Sequence, residues 1–218
     1  MCERYALVEV SDLEQRFALK RLPAPPLRRY NIARSEVAPV IVRRGSNELD
    51  LMYWGVLPSW EVSKRAPSRL RHARAERVAT APTFAEAFLT RRLIVPASGW
   101  YEWKNTPVGT QPYYFRRKDG ALMGFAGLEL DGVDGSGYVI ITTAASALVS
   151  EVYHRMPAVL HPEDEDTWLD PETRDPELLL SLLRPFDDDL LTFYRVSYMV
   201  DTIGVEDPRL IEPLATTS

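Results

Sequence analysis

The sequence predicts an α+β fold, a β-rich domain of mainly antiparallel sheet with a few short helices, and two observations carry that expectation. Runs rich in β-branched and aromatic residues recur at irregular intervals across 218 residues. The helical stretches between them are shorter and fewer, which is the pattern of antiparallel strands and not of a βαβ array. The composition is 45% hydrophobic and 26% charged, close to the averages of folded globular chains, and a chain of this length buries about 70% of its unfolded surface. At roughly 150 residues per domain the length gives about one domain, expected to span 1–218. No repeat is present, and the run Pro23-Ala24-Pro25-Pro26 is too short to separate two cores.

In chain order, residues 5–10 suit a strand, and Ser11-Asp12-Leu13-Glu14 then reads as a capping box opening a helix through Phe17 and Ala18. Strands are predicted at 37–43 and 49–54. Phe84, Ala87 and Phe88 follow Pro82-Thr83 at helical spacing. Further strands are predicted at 92–96, 113–117, 121–130 and 137–143, then a helix at 144–151. Helices at 162–169 and 176–183 each begin with a proline suited to a first turn, and a last strand is predicted at 193–198.

The longest apolar stretches are far shorter than the roughly 20 residues that cross a bilayer. Met1-Cys2-Glu3-Arg4-Tyr5 opens no signal peptide, so a cytoplasmic protein is expected, with no membrane partner. A single cysteine excludes an internal disulfide, and His72, His154 and His161 provide no Cys/His set spaced for zinc. The formal net charge of −5 excludes a uniformly basic nucleic-acid binder. The charges are nevertheless segregated: Arg16, Lys20, Arg21, Arg28, Arg29, Arg34, Arg43 and Arg44 stand early, Lys64, Arg65, Arg69, Arg71, Arg74 and Arg77 follow, and acids collect from Glu163 to Asp189. One positive and one negative face are therefore expected.

Cys2 offers chemistry that no internal cysteine can. Freed of Met1, it carries an amine that forms an imine with an aldehyde and a thiol that then closes a five-membered thiazolidine. The second step is intramolecular, and an α-amino pKa near 7.7–8.0 leaves roughly a tenth of the amine neutral at pH 7. Taken alone, a cysteine near a terminus is incidental. Glu102 lies among large aromatics in Gly99-Trp100-Tyr101-Glu102-Trp103-Lys104, where desolvation suits a carboxyl group to general acid–base work; the plainer reading is a Glu on an aromatic-rich edge. His154 lies in Tyr153-His154-Arg155-Met156-Pro157, and histidine is a residue type that can donate and accept protons near neutral pH, although a lone loop histidine is more often only hydrogen-bonded. If extended, Arg71–Glu76 would point His72, Arg74 and Glu76 to one face as a phosphate cradle. Pro58, Ser59 and Trp60 read as a loop whose aromatic could wedge against a nucleobase.

These blocks, with Arg4-Tyr5, Asn31-Ile32-Ala33, Tyr53-Trp54-Gly55-Val56-Leu57-Pro58-Ser59-Trp60, Ala73-Arg74-Ala75-Glu76, Arg91-Arg92-Leu93-Ile94-Val95-Pro96-Ala97, Phe125-Ala126-Gly127-Leu128 and Ile141-Thr142-Thr143-Ala144, together resemble the SOS-response-associated peptidase (SRAP) family, whose members shield abasic sites in DNA. The resemblance covers about residues 1–200. It implies a β-rich fold that binds single-stranded DNA in a positive groove, with Met1 removed so that Cys2 reaches the ring-opened sugar aldehyde and forms a reversible thiazolidine DNA–protein crosslink. It further implies that Glu102 assists proton transfers and that His154 acts as acid or base in ring opening and reversal. Arg4, Arg74 and Thr143 would hold phosphates or the lesion sugar, with Asn31, Pro58, Ser59, Trp60 and Trp103 on the DNA-binding side. Two departures stand out: His72 replaces the family's usual Asn before Ala-Arg, and Glu3 replaces its usual Gly, so a changed rate or pH dependence is expected.

Three functions remain open on this reading: a covalent shield of abasic sites, a thiol (auto)peptidase using Cys2 with His154 as base, and a noncovalent single-stranded DNA binder. None requires a metal or cofactor, because imine and thiazolidine formation need only proton transfers. The expected partner is single-stranded DNA containing abasic sites, and the chain is expected to act as a monomer, near the nucleoid if it is bacterial.

Overall fold

The β-branched run Val37–Arg43 forms the strand that its composition predicts, and it lies at the centre of a set of strands wound on one another. The computed structural model describes residues 3–20 and 28–215, so Cys2 and the proline run at 23–26 lie outside the described residues. In chain order the strands are β1 (Arg4–Leu7), β2 (Arg29–Ala33), β3 (Val37–Arg43), β4 (Asn47–Trp54), β5 (His72–Arg74), β6 (Arg92–Ala97), β7 (Gly99–Thr106), β8 (Gly109–Arg117), β9 (Met123–Gly132), β10 (Gly135–Ala144), β11 (Arg155–Pro157), β12 (Val159–Leu160) and β13 (Leu191–Arg195).

Five of them form an antiparallel sheet in the order β13-β8-β7-β1-β2. The rest form a second sheet in which β10 pairs with both β4 and β9, so the path β10-β4-β3-β6-β9 closes on itself as a small barrel. Closure removes the edges that an open sheet would expose. Antiparallel pairing dominates as expected, and the parallel contacts are those that β10 makes with β4 and β5.

An aromatic layer joins the two sheets. Tyr5 on β1 meets Trp54 at 5.3 Å between ring centroids and Phe125 at 6.2 Å. Its hydroxyl shares a 2.8 Å hydrogen bond with that of Tyr138. Trp100 on β7 stacks on Phe115 at 5.0 Å and meets Phe125 edge-on at 6.0 Å. These rings are fully buried, and rings of this size supply most of the apolar area that holds such layers together. The chain passes from barrel to sheet at Ser98, whose N–H donates to the Ala6 carbonyl at 2.7 Å and whose Oγ accepts from Val8 N–H at 2.9 Å. The next residue has to be glycine, because a Cβ at Gly99 would lie 2.4 Å from the Tyr114 ring and the Phe115 carbonyl.

Arg92 is buried at the start of β6 and donates to four carbonyls, those of Trp168 at 2.6 Å, Phe88 at 2.8 Å, Asp170 at 2.5 Å and Thr173 at 2.9 Å. Burial pulls its guanidinium down to about 10, which leaves it charged at neutral pH. It ties the 168–173 segment to the barrel wall. Arg92→Met should cost about 3–5 kcal/mol, because the four carbonyls lose their donor inside the protein. Urea unfolding measures this, and a loss below about 1 kcal/mol would contradict the role.

Several expectations need correction. The capping box at Ser11 does not form: a 3-10 turn at Val10–Asp12 leads into a four-residue helix Leu13–Arg16, and no side chain caps either one. The helix expected at 144–151 shrinks to Ala147–Ser150, because Ala144 continues β10. The last strand is Leu191–Arg195, and Tyr198, the expected last residue of that strand, instead opens a 3-10 turn at Tyr198–Asp201. The charge segregation along the chain is partly undone in space, since Arg16 pairs with Glu165, Arg43 with Asp166 and Arg29 with Glu206. Early cations and late acids thus neutralise one another across the fold.

Candidate active site and nucleic-acid interface

The strand β7 runs through a sheet covered on both faces. Trp100 points into the aromatic layer, while Tyr101 packs with Val200 and Leu210 on the opposite side. Side chains two apart share a face, so Glu102 follows Trp100 and leaves the apolar layer at its rim. It is 1% exposed. There it lines a cavity of about 310 Å³ together with Glu3, Arg4, Trp103, Tyr153 and Asp201. The main chain brings this about: antiparallel pairing sets Arg4 opposite Tyr101 and Tyr5 opposite Trp100, so the beginning of the chain runs beside Glu102.

Arg4 is held from behind. Its guanidinium donates to Asn31 Oδ1 at 2.9 Å and to the Asp201 carbonyl at 3.0 Å. Burial lowers its pKa, and Asp201, Glu36 and Glu3 oppose that shift. Asn31 is fully buried, with its Nδ2 donating to the Val200 and Thr202 carbonyls at 3.3 and 3.1 Å. It therefore orients Arg4 and anchors the 198–202 segment. Trp103 donates from Nε1 to Asp201 Oδ1 at 2.8 Å, which fixes the indole on the cavity wall.

His154 is exposed and its ring lies 4.4 Å from that of its neighbour Tyr153, one of the cavity's lining residues. His72, on β5, packs edge-on against Trp54 at 5.8 Å. In β5 the side chains of His72 and Arg74 flank the buried Ala73, and Arg74 is exposed. Glu76 does not join them, which corrects the three-residue cradle. The strand ends at Arg74, and Glu76 lies in the helix Ala75–Val78 paired with Arg155 at 2.5 and 3.0 Å. That hydrogen bond holds its carboxyl below the usual range, and Arg155 also donates to the Thr142 carbonyl at 2.6 Å. Thr143 is largely buried on β10, opposite Met156.

Pro58, Ser59 and Trp60 lie elsewhere. With Arg91 and Leu130 they line a separate cleft of about 390 Å³, and Trp60 is 52% exposed. Cys2 lies outside the described residues, while Glu3, the next residue, lines the Glu102 cavity. Asp201 and Tyr153 are site residues that sequence reasoning missed. Asp201 follows the last predicted strand and carries no local signal, and Tyr153 carries none beyond its place beside His154. Among the described residues no group of His, Cys, Asp or Glu could hold a metal ion, and no helix is long and apolar enough to cross a membrane.

The chain is 34% identical to the abasic site processing protein YoqW of Bacillus subtilis, over 97% of this chain and 99% of that protein. It is 30% identical to the abasic site processing protein YedK of Escherichia coli, over 87% and 86% of the two chains. A Bacteroides thetaiotaomicron protein of known crystal structure shares the fold with a TM-score of 0.84 at 24% identity, over 98% of this chain and all of that one. Residues 1–203 match the family described as SOS response associated peptidase (SRAP), and the chain belongs to that family.

Proposed function

We propose that this protein captures abasic sites in single-stranded DNA as a covalent, reversible thiazolidine on Cys2. The observation that carries this reading is the buried Glu102 carboxylate at a cavity lined also by Glu3 and Arg4, the residues that immediately follow Cys2. Removal of Met1 frees the α-amine. The amine nitrogen adds to the C1′ aldehyde of the ring-opened sugar and water leaves, giving an imine. The Cys2 sulfur then adds to the imine carbon, and the thiol proton ends on nitrogen as the ring closes. No electrons are exchanged with an outside reagent, so the steps need only a group that moves protons. Glu102 takes that role at the amine and the sugar hydroxyl, and His154, next to the lining residue Tyr153, serves ring opening and reversal. Arg4 is preset by Asn31 and Asp201, which lowers the ordering cost of holding a phosphate. Arg74 and Thr143 complete the contacts to phosphate or sugar, and the exposed face of Trp60 offers a base a stacking platform.

The test uses protein whose free Cys2 terminus is verified by intact mass. It is incubated with a single strand bearing one natural abasic site, or with the same strand bearing a tetrahydrofuran analogue that has no aldehyde. A denaturing gel should show a retarded band with the first and none with the second. Absence of the band from the natural abasic strand, or its equal appearance with the analogue, would overturn the covalent reading.

A further inference from the structure

Glu3 stands beside the candidate nucleophile, and the fold gives it a specific partner. Its carboxylate accepts from Arg34 Nη1 at 2.7 Å, and its carbonyl accepts from Arg34 N–H at 3.3 Å. Arg34 occupies the turn between β2 and β3. The following Ser35 is held at φ 68°, with its N–H on the Trp54 carbonyl at 2.9 Å. Ser35 Oγ in turn accepts from Arg71 Nη2 at 3.4 Å. Two guanidinium groups therefore converge on one short turn.

Arg71 is the less satisfied of the two. Its remaining hydrogen bond is a 3.3 Å contact from Nη1 to the Arg69 carbonyl, and its Nε is buried with no partner. Among the described residues it makes no ion pair. Burial lowers its pKa first, Arg34 and Arg69 lower it further, and Glu3 is the carboxylate that opposes them. Arg69 is already engaged by Asp134 and lies over the Tyr53 ring. The planar guanidinium fork of a partly buried arginine flanked by cations and short of acceptors fits an oxyanion that offers it two oxygens at once, as a backbone phosphate does.

We propose that Arg34 and Arg71 form a phosphate subsite for the DNA strand, and that Glu3 occupies its Arg34 half when no DNA is bound. This rests on the DNA-binding reading above. The Glu3–Arg34 pair is suited to exchange, since its side chains are 45% and 49% exposed and exposed pairs contribute little. A backbone phosphate displaces the carboxylate from Arg34 and gains Arg71 as well. Glu3 thereby sets a threshold: a strand engages Arg34 only by supplying a phosphate that displaces the Glu3 carboxylate.

The experiment is anisotropy titration of a labelled, undamaged oligothymidylate over a range of salt concentrations, which keeps lesion chemistry out of the readout. Glu3→Gln should bind about three- to tenfold tighter, and Arg34→Gln about three- to tenfold weaker with a salt slope shallower by ~0.7, the value of one phosphate contact on a single strand. The double variant Glu3→Gln/Arg34→Gln should match Arg34→Gln alone, because Glu3 acts by covering Arg34. Arg71→Lys keeps the charge and should still weaken binding. If the natural protein binds but Glu3→Gln is unchanged, or gains as much without Arg34, the subsite assignment is overturned and the DNA-binding reading stands. If neither the natural protein nor Glu3→Gln binds at low salt, both are overturned.

Discussion

Cys2→Ala protein mixed with an abasic single strand is expected to give no complex that survives denaturation. Alanine keeps the α-amine, so the imine with the sugar aldehyde still forms, but no sulfur is present to close the ring and the imine hydrolyses on the gel. Borohydride, which delivers hydride to the imine carbon, should therefore restore a stable band for Cys2→Ala. The natural protein needs no reductant. This pair of outcomes separates the roles of amine and thiol, which share one residue and so gain the full advantage of intramolecular closure. A Cys2→Ala band of natural intensity without borohydride would remove the thiazolidine from the mechanism.

Glu102→Gln is expected to slow crosslink formation by about 10²–10⁴-fold, the usual worth of a positioned general acid–base group. Glutamine keeps the shape of the side chain and cannot exchange a proton at neutral pH. The fold should tolerate the change, because glutamine fills the same buried position, 1% exposed, with a side chain of the same shape. The thermal midpoint should stay about the same. Affinity for undamaged strand should also be preserved, which confines the loss to the chemical step. Single-turnover rates at saturating protein measure this, and a rate within threefold of the natural one would exclude Glu102 from proton transfer.

The strands most legible in the sequence were those with one clear apolar signal. Val37–Arg43 matches its prediction at both ends, and 92–96 falls one residue short of β6. The strand β7, which carries Glu102, shows in the sequence only as an aromatic-rich segment. Its residues Trp100, Tyr101 and Glu102 are all buried, so no alternation marks it. The strand β2 was missed for the converse reason: Arg29, Tyr30 and Asn31 look like loop residues, and their polar groups are satisfied by Glu206, Val200 and Thr202 from the far end of the chain. Local propensity contains no such partner.

The same division applies to the site. Residue identity alone determined the chemistry on offer: an N-terminal thiol-amine once Met1 is removed, one carboxylate among aromatics, a histidine before Arg-Met-Pro, and paired basic stretches. Which of these meet was decided in three dimensions. Pairing of β1 with β7 places Glu3 and Arg4 at the Glu102 cavity, a 3-10 turn nearly 200 residues from Arg4 holds its guanidinium, and Pro58, Ser59 and Trp60 line another cleft. Glu76 left the expected cradle because a helix started after Arg74 and Arg155 claimed its carboxylate. Covalent chemistry is a property of single side chains and can be read from them. Proximity comes from strand register and from hydrogen bonds between distant segments, which exist only after the sheets have closed on their shared aromatic layer.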